Sequence, residues 1–511
     1  MTASANGNAR PAGGLPPSVD VAVVGSGFGG LCAAVALRRA GRDFLVLERG
    51  DDVGGTWRDN SYPGCACDVP SHLYSFSFAP NPNWSRSFSP QPEIQEYLRG
   101  VARSFGVLPR VRFGAEVLGA RWDPSALRWR ISTTLGDLEA RVLVAGTGPL
   151  SEPSIPNLPG LERFEGTTFH SAQWRHDHDL AGERVGVVGT GASAIQFVPH
   201  VQRAASHLTL FQRTAPWVLP RRDRDLSRPE RWLFRRAPAA QRLARSGIYW
   251  WRESWILGFE RYDWIMAAGE RYARWVLRRR VPDPALRAKL TPSYRLGCKR
   301  VLLANDYYPA LGRPNVEVVT DRIVEVLARA IVTSGPGGER REHPVDTIVF
   351  GTGFHATDQP IAGRIVDGGG RSLAERWAAG GMSALNGLTV AGFPNLFLLV
   401  GPNTALGHSS IVIMIEAQVH HLVQALGRMD AGGVVAIEPD TATQAAYGEQ
   451  MQRRLSRTVW NSGGCRSWYL DDHGRNTILW PTFTFTFRRE LADFDPGGYV
   501  AHRPAGALSP S

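Results

Sequence analysis

The chain has 511 residues, of which 43% are hydrophobic and 21% charged, and its formal net charge is +11. A chain of this length is too long for a single hydrophobic core, so we expect two or three domains. The composition is that of a globular protein. No apolar run is long enough to span a bilayer, which excludes a transmembrane class.

The positive charge is carried almost entirely by arginine, since Lys289 and Lys299 are the only lysines. Such a bias is typical of genome base composition, and part of the excess can serve anionic cofactors. We therefore expect no nucleic-acid partner.

The N-terminal residues and the cysteines give no indication of a targeting segment, a disulfide framework or a metal site. Residues 1–18 lack the apolar stretch of a signal peptide and are predicted to form a disordered tail, so we expect a cytoplasmic protein. The five cysteines are scattered, with only Cys65 and Cys67 close together. We expect no disulfide framework and no zinc site. No regular element presents His176 and His178 together, so no metal is predicted.

The first nucleotide turn lies in residues 21–30, VAVVGSGFGG, whose first four residues are a predicted strand. Gly25 and Gly27 allow a tight turn and close approach to a pyrophosphate, and Gly30 lets the next helix pack on the strand. The second strand ends in Glu48, about 20 residues on. Its carboxylate can accept both hydroxyls of an adenosine ribose and would repel a 2′-phosphate. This register predicts a site for FAD or NAD.

The second nucleotide turn, VGVVGTGASA, contains Gly189 and Gly191, with Ala194 in place of the third glycine. The strand after it ends without an acid. Arg213 and Thr214 stand there instead, and a guanidinium and a hydroxyl suit the 2′-phosphate of NADP. The two turns therefore differ in charge where the two cofactors differ.

Between the turns, residues 164–175 read FEGTTFHSAQWR. The spacing F-x-G-x-x-x-H-x-x-x-W resembles the signature of Baeyer–Villiger monooxygenases, flavoenzymes that turn ketones into esters. The family motif continues with Pro or Asp where this chain has Arg175. Residues 54–68 match a second family signature, G-G-x-W, then Y-P-G, then Asp. Residues 293–311, SYRLGCKRVLLANDYYPAL, resemble the segment that carries the family's catalytic arginine.

The resemblance runs from about Asp20 to Arg489 and implies an α/β fold. It implies two Rossmann-like dinucleotide-binding domains, for FAD and NADPH, and a helical insertion in the NADPH domain. The expected boundaries are a tail at 1–18, an FAD-binding domain at 19–150 and 385–511, an NADPH-binding domain at 151–221 and 291–384, and the insertion at 222–290.

Aromatic and apolar residues recur at helical spacing in the insertion, at Trp251, Trp255, Tyr262, Met266 and Val276. Aromatic and basic helices can lie on membranes. We favour core packing with a solvated basic face.

The resemblance implies catalytic roles for Arg300 and for Asp68, which would orient and tune Arg300. Phe164, Gly166, His170 and Trp174 are expected to couple the nucleotide domains, and a core histidine stays an alternative for His170. The predicted cofactor-binding residues are Gly25, Gly27, Phe28, Gly30, Glu48, Thr56, Trp57, Asp68, Val69, Tyr74, Thr190, Gly191, Ala192, Ser193, Ala194, Ile195, Gln196, Arg213, Thr214 and Lys299.

The implied reaction uses NADPH to reduce FAD. Dioxygen then forms a peroxide on the flavin, which attacks a ketone and gives an ester or lactone. Arg300 would supply the fixed positive charge that a peroxide anion needs. The expected partners are a ketone and dioxygen. We expect no stable membrane insertion and a monomer or homodimer, and the sequence does not identify the ketone.

Two alternatives stay open. One is a flavin-containing monooxygenase that oxygenates nitrogen or sulfur of amines or sulfides; Trp174 and the full signature at residues 54–68 argue against it. The other is a flavin-binding redox sensor without oxygenation, against which the Arg213-Thr214 pair argues.

Overall fold

The computed structural model describes residues 14–359, 361–465 and 467–503. Most of the predicted tail at 1–18 lies outside this range, and the first strand already begins at Ser18. Residues 504–511, which the prediction assigns to the FAD-binding domain, also lie outside the described residues.

The strands of the described residues are, in chain order, β1 (Ser18–Val24), β2 (Phe44–Glu48), β3 (Val111–Phe113), β4 (Val117–Asp123), β5 (Arg128–Thr133), β6 (Gly136–Ala145), β7 (Thr167–His170), β8 (Arg184–Val188), β9 (His207–Phe211), β10 (Val218–Leu219), β11 (Leu302–Leu303), β12 (Val316–Val319), β13 (Arg322–Leu327), β14 (Ala330–Ser334), β15 (Arg340–Pro344), β16 (Thr347–Phe350), β17 (Ile365–Val366), β18 (Leu396–Leu398), β19 (Ala436–Pro439) and β20 (Tyr499–His502).

The helices of the same residues are α1 (Phe28–Arg39), α2 (Thr56–Asp59), α3 (Gln91–Ser104), α4 (Ala194–Ala204), α5 (Arg228–Arg236), α6 (Pro238–Glu253), α7 (Ile256–Glu260), α8 (Asp263–Arg280), α9 (Pro284–Lys289), α10 (Tyr307–Leu311), α11 (Ile361–Arg364), α12 (Leu373–Gly380), α13 (Ile411–Ala431), α14 (Thr441–Leu455), α15 (Val459–Ser462) and α16 (Thr484–Glu490).

The first large sheet has the strand order β17-β4-β5-β6-β1-β2-β3, and β18 also pairs with β6. Its centre is parallel, because β1 pairs in parallel with both β2 and β6. The last four residues of strand β1 are apolar and buried, as expected for a strand covered on both faces. Helix α1 packs against α13 on one face of the sheet. The first nucleotide turn therefore leaves the carboxyl end of a central strand.

The second large sheet has the order β12-β9-β8-β16-β7, and all of its pairs are parallel. Strand β8 is central and leads into the second nucleotide turn and helix α4. An antiparallel sheet of β13, β14 and β15 lies beside it in the chain. The first sheet has a parallel centre, the second is parallel throughout, and each carries a nucleotide turn at the carboxyl end of an inner strand. This arrangement confirms the predicted α/β fold.

The predicted domain boundaries stay a prediction, although one strand bears on them. Strand β17 pairs with β4 of the first sheet, whereas the predicted boundary groups its residues with the NADPH-binding segment. Ala362 and Leu373 pack in the same core as that sheet.

Helices α5 to α9 occupy the segment predicted as the helical insertion. Core packing is found for Met266 and Val276, which are buried. The prediction of core packing is wrong for Trp251 and Tyr262. Both side chains are exposed, because they lie on the outer side of the helical layer. No helix in the described part of the chain has the length and apolar character needed to cross a membrane.

The structure corrects the cysteine interpretation. Cys298 and Cys465 form a disulfide across a sequence separation of 167 residues. Five scattered cysteines carry no pairing signal, because these two partners meet only through tertiary structure. The bond ties the segment of Arg300 to the C-terminal region.

Peptide mapping of protein purified in air-equilibrated buffer is expected to recover one cross-link, between Cys298 and Cys465. Cys32, Cys65 and Cys67 should react with alkylating reagents only after unfolding, since burial raises the pKa of each thiol. A cross-link involving any of those three cysteines, or a free Cys298, would contradict this pairing.

Candidate active site

A cavity of about 1310 Å³ lies where the two nucleotide turns face each other. One small-molecule site typically has a volume of about 300–1,000 Å³, so the cavity has room for more than one ligand. Of the predicted site residues, it is lined by Gly25, Gly27, Phe28, Glu48, Thr56, Trp57, Asp68, Val69, Tyr74, Thr190, Gly191, Ala192, Ser193, Gln196, Arg213, Thr214, Lys299 and Arg300. Gly30, Ala194 and Ile195 are buried in the helices behind the turns.

Glycine is required at the first turn. Gly25 has φ +93°, and a Cβ there would lie 2.8 Å from the carbonyl oxygen of Gly146. A Cβ on Gly30 would lie 1.8 Å from the carbonyl oxygen of Gly25. Helix α1 begins directly after Gly27, which has no side chain to cap the helix N-terminus. Its first backbone N–H groups are therefore available to an anionic ligand, as a pyrophosphate requires.

Glu48 ends strand β2 at the cavity wall and is only 3% exposed. One carboxylate oxygen accepts hydrogen bonds from Ser26 N (2.8 Å) and Ser26 Oγ (2.6 Å). The other accepts from Gly50 N (2.8 Å) and Arg58 Nη1 (2.6 Å). Burial alone would raise the pKa of Glu48, but Arg58 and these hydrogen bonds outweigh it and lower the pKa. An ionised acceptor here fits ribose hydroxyls and disfavours a 2′-phosphate.

The second turn has the same backbone form and the opposite charge. Gly189 has φ +108°, and a Cβ there would lie 2.4 Å from the carbonyl oxygen of Gly351. Arg213 and Lys299 line the cavity, and no carboxylate in the described part of the chain forms an ion pair with either. Burial, and then the charge of Arg213, lower the pKa of Lys299. Two cations without a carboxylate partner fit the 2′-phosphate of NADPH.

Arg300 and Asp68 form a bidentate ion pair across the cavity wall. Arg300 Nε and Nη2 donate to the two carboxylate oxygens of Asp68, each at 2.7 Å. The remaining Nη1 donates to the carbonyl oxygen of Leu406 at 3.3 Å. The two side chains are 28% and 24% exposed, and both line the cavity. This geometry fixes the guanidinium while leaving part of it open to a ligand.

The surroundings keep this pair ionised. Burial would raise the pKa of Asp68, but the charge and hydrogen bonds of Arg300 outweigh it and lower that pKa. Asp68 in turn raises the pKa of Arg300. Burial raises the pKa of Tyr469, which also lines the cavity, to about 12, so its phenol stays neutral.

Sequence reasoning missed two residues of this region, Tyr469 and Arg252. Arg252 is buried on α6, and its guanidinium carbon lies 4.4 Å from the centroid of the Trp255 ring. Its positive charge also favours the ionised form of Asp68. No local pattern distinguishes Arg252 from other arginines, because its position depends on how the insertion packs against the nucleotide domains.

The central motif lies behind the cavity. His170 ends β7 and is fully buried; its Nδ1 accepts from the Ala172 backbone N–H at 3.1 Å. Burial lowers the pKa of His170 to about 4, so the ring is neutral. Trp174 packs against Phe197 of α4, with ring centroids 5.4 Å apart.

The other two motif residues also have packing roles. Phe164 packs against the core that includes Val326 and Ile348. A Cβ on Gly166 would lie 2.1 Å from the carbonyl oxygen of Asp346, so the close approach of β7 to its neighbour requires glycine.

Gln196 on α4 makes direct contacts between the two nucleotide units. Its Oε1 accepts from the Tyr62 hydroxyl at 3.1 Å, and its Nε2 donates to the Ala66 carbonyl at 2.9 Å. Gly64 lies so close that a Cβ there would be 2.8 Å from the Gln196 carbonyl oxygen. The Y-P-G signature therefore packs on the helix of the second nucleotide unit, which the spacing alone does not reveal.

Arg175, where the chain departs from the family motif, is exposed and pairs with Asp177 at 2.7 and 2.9 Å. It does not line the cavity. His176 hydrogen-bonds Ser61 Oγ at 2.8 Å, and His178 lies 2.9 Å from Thr347 Oγ1. The two histidines thus make separate contacts. The described ranges hold no group of three or more metal-ligand side chains.

Known proteins of similar sequence are monooxygenases. A sequence model described as flavin-binding monooxygenase-like matches residues 18–244. A Baeyer–Villiger monooxygenase of Streptomyces coelicolor is 54% identical, covering 96% of this chain and 94% of the relative. The chain belongs to the Baeyer–Villiger monooxygenase family. A second such enzyme, from Pseudomonas aeruginosa, is 46% identical and covers 96% and 93% of the two chains.

A solved structure, of OTEMO in complex with FAD and NADP, superimposes with a TM-score of 0.84 at 26% identity. It covers 96% of this chain and all of the OTEMO chain. Membership of the Baeyer–Villiger monooxygenase family confirms the predicted enzyme class and the two-domain nucleotide-binding fold.

Proposed function

We propose that this enzyme uses FAD, NADPH and dioxygen to insert one oxygen atom next to a ketone carbonyl, giving an ester or lactone, with Arg300 as its central catalytic residue. The observation that carries the assignment of Arg300 is its position. It lines one cavity with both nucleotide turns and is held by Asp68 with two hydrogen bonds.

When bound, FAD would supply the redox chemistry, with NADPH as the reductant and dioxygen as the source of the inserted oxygen atom. The first turn and α1 bind its pyrophosphate, and Glu48 binds its adenosine ribose. The flavin would be held by five residues that line the cavity: Thr56, Trp57, Asp68, Val69 and Tyr74. The Tyr74 hydroxyl accepts a hydrogen bond from Trp57 Nε1 at 3.0 Å, which fixes both rings at the cavity wall.

The guanidinium of Arg300 stabilises the negative charge that develops on the ketone oxygen as the carbonyl is attacked. A cation fixed before the reaction needs no reorganisation and is most effective where water is excluded. Asp68 is a positioning residue, since it holds the guanidinium of Arg300 with two hydrogen bonds. Its own negative charge also moderates the field of the cation.

NADPH binds at the second turn. The proposed contacts are the backbone of residues 190–194 for its pyrophosphate, and Arg213, Thr214 and Lys299 for its 2′-phosphate. In the same proposal Phe164, Gly166, His170 and Trp174 couple the two nucleotide domains. The predicted domain boundaries, and a monomer or homodimer as the working form, belong to the same proposal.

Product analysis tests the reaction class. Purified protein is incubated with NADPH, air and a mixed panel of ketones, sulfides and amines, and mass spectrometry follows the addition of one oxygen. Esters from the ketones are expected. Sulfoxides or N-oxides with untouched ketones would contradict the proposal and favour the heteroatom reaction.

Arg213→Ala is expected to reduce the preference for NADPH over NADH. The variant loses a charge-assisted contact to a group that only NADPH carries, so the ratio of kcat/KM values should fall about 10- to 100-fold. The rate with NADH should change little. Arg203→Ala, an exposed arginine on α4, is the matched control. An unchanged ratio in Arg213→Ala would place the phosphate elsewhere.

A further inference from the structure

The helical insertion carries most of the net positive charge of the chain. Residues 228–280 contain thirteen arginines and five acidic residues, a net charge of +8 out of +11 for the whole protein. Apart from Arg252, whose charge favours the ionised form of Asp68, these residues have no role in the proposed reaction, since none of them lines the cavity.

Helix α6 presents an apolar outer face. Leu243 and Trp250, seven residues apart and therefore on one side of the helix, are 75% and 59% exposed. The neighbouring Trp251 is also exposed. On the opposite side Gln241 and Arg252 are buried, so the outward direction of this face is unambiguous.

Helix α8 repeats the arrangement with arginines interleaved. Trp264 and Trp275 are 69% and 54% exposed, and Arg271 and Arg278 are exposed on the same side of the helix. The inner side holds buried Met266, Ala273 and Val276.

Two further elements extend the exposed aromatic surface. Trp232 and Leu233 are exposed on α5, and Phe485 of α16 is exposed with its ring centroid 6.1 Å from that of Trp250. We call these side chains the insertion surface: Trp232, Leu233, Leu243, Trp250, Trp251, Trp264, Trp275 and Phe485.

Exposed tryptophans among arginines are suited to binding an anionic lipid surface. Tryptophan is favoured at the interface between lipid head groups and acyl chains, and arginine is attracted to anionic head groups there. A second copy of the chain fits less well, because a two-fold contact would bring two surfaces of the same positive charge together. Nucleic acid would match the charge but not the exposed leucines.

We propose that the insertion surface docks this enzyme on anionic lipid bilayers. The helices lie on the bilayer rather than cross it, with the aromatic side chains inserted among the head groups and the arginines paired with lipid phosphates. Docking of this kind is independent of the oxygenation chemistry, since no residue of the surface lines the cavity.

Vesicle co-sedimentation tests the proposal. The full-length protein is mixed with vesicles of equal parts phosphatidylglycerol and phosphatidylcholine, or of phosphatidylcholine alone. Binding to the anionic vesicles is expected, with weaker binding to the neutral ones. Raising the salt to about 0.5 M should weaken the anionic binding, because the Debye length shortens from about 10 Å at 0.1 M toward about 3 Å at 1 M.

Two double variants locate the surface. Leu243→Ser with Trp250→Ser, and Trp264→Ser with Trp275→Ser, should each weaken vesicle binding about tenfold or more. Leu118→Ser with Leu135→Ser changes two exposed apolar residues outside the insertion and is the matched control. All variants should keep bound FAD and NADPH oxidation in solution, which shows that they fold.

Three results would overturn the proposal. The first is no binding of the parent protein to anionic vesicles. The second is equal binding by the parent and both insertion variants. The third is a parent dimer in size-exclusion chromatography that both insertion variants convert to a monomer, since the surface would then be a contact between copies.

Discussion

Arg300→Ala is expected to bind FAD and to oxidise NADPH, yet to form ester at least about 10³-fold more slowly than the parent enzyme. The substitution removes the fixed cation at the cavity wall, whereas the residues of both nucleotide turns are unchanged. Reducing equivalents should therefore still be consumed, and oxygen should appear as hydrogen peroxide in solution. The measurement is the ratio of ester formed to NADPH oxidised.

Removal of Arg300 also leaves Asp68 without its ion partner, which is a separate disturbance. The double variant Arg300→Ala with Asp68→Ala removes both charges and controls for it. Arg300→Lys keeps the charge but not the fork that Asp68 holds, so it should recover only part of the rate. Arg130→Ala, an exposed arginine on β5, should behave like the parent. Ester formation at the parent rate in Arg300→Ala would remove this residue from the mechanism.

Gly30→Ala is expected to yield protein without bound FAD. A Cβ at this position lies 1.8 Å from the carbonyl oxygen of Gly25, so the turn or helix α1 must move. Either movement displaces the backbone N–H groups that receive the pyrophosphate. We expect FAD affinity to fall by about 10² or more, measured as flavin absorbance after purification and by titration with added FAD.

Gly100→Ala is the matched control, because a Cβ on Gly100 of α3 has no atom within 4 Å. This variant should retain FAD fully and be as stable as the parent or slightly more so. Circular dichroism of Gly30→Ala then separates loss of flavin from loss of fold. A folded, yellow Gly30→Ala protein with parent affinity would show that FAD does not bind at the first turn.

The fold could be predicted to a large extent because its signals are local. Buried parallel strands and glycine turns are recognisable from consecutive residues, and the predicted strand at 21–24 lies within the observed β1. The difference in charge between Glu48 and Arg213 is likewise a local feature at strand ends. The cavity brings both together with Arg300, as the topology of two facing switch points requires.

What could not be predicted depends on contacts between distant segments. Three features have no signal in the local sequence: the Cys298–Cys465 bond, the Gln196 contacts with Tyr62 and Ala66, and the effect of the Arg252 charge on the pKa of Asp68. The sequence also does not predict which aromatic side chains of the insertion are exposed. Helical spacing identifies a face, but only the packed neighbours decide whether Trp251 points inward or outward.

The measurement that tests the central claim most directly is an incubation of the purified enzyme with FAD, NADPH, a ketone and ¹⁸O₂. An ester or lactone carrying one ¹⁸O atom, formed by the parent and lost in Arg300→Ala, is the predicted result. Unchanged ketone beside oxidised NADPH in the parent, across cyclic, linear and aromatic ketones, would contradict it, as would an ester without label.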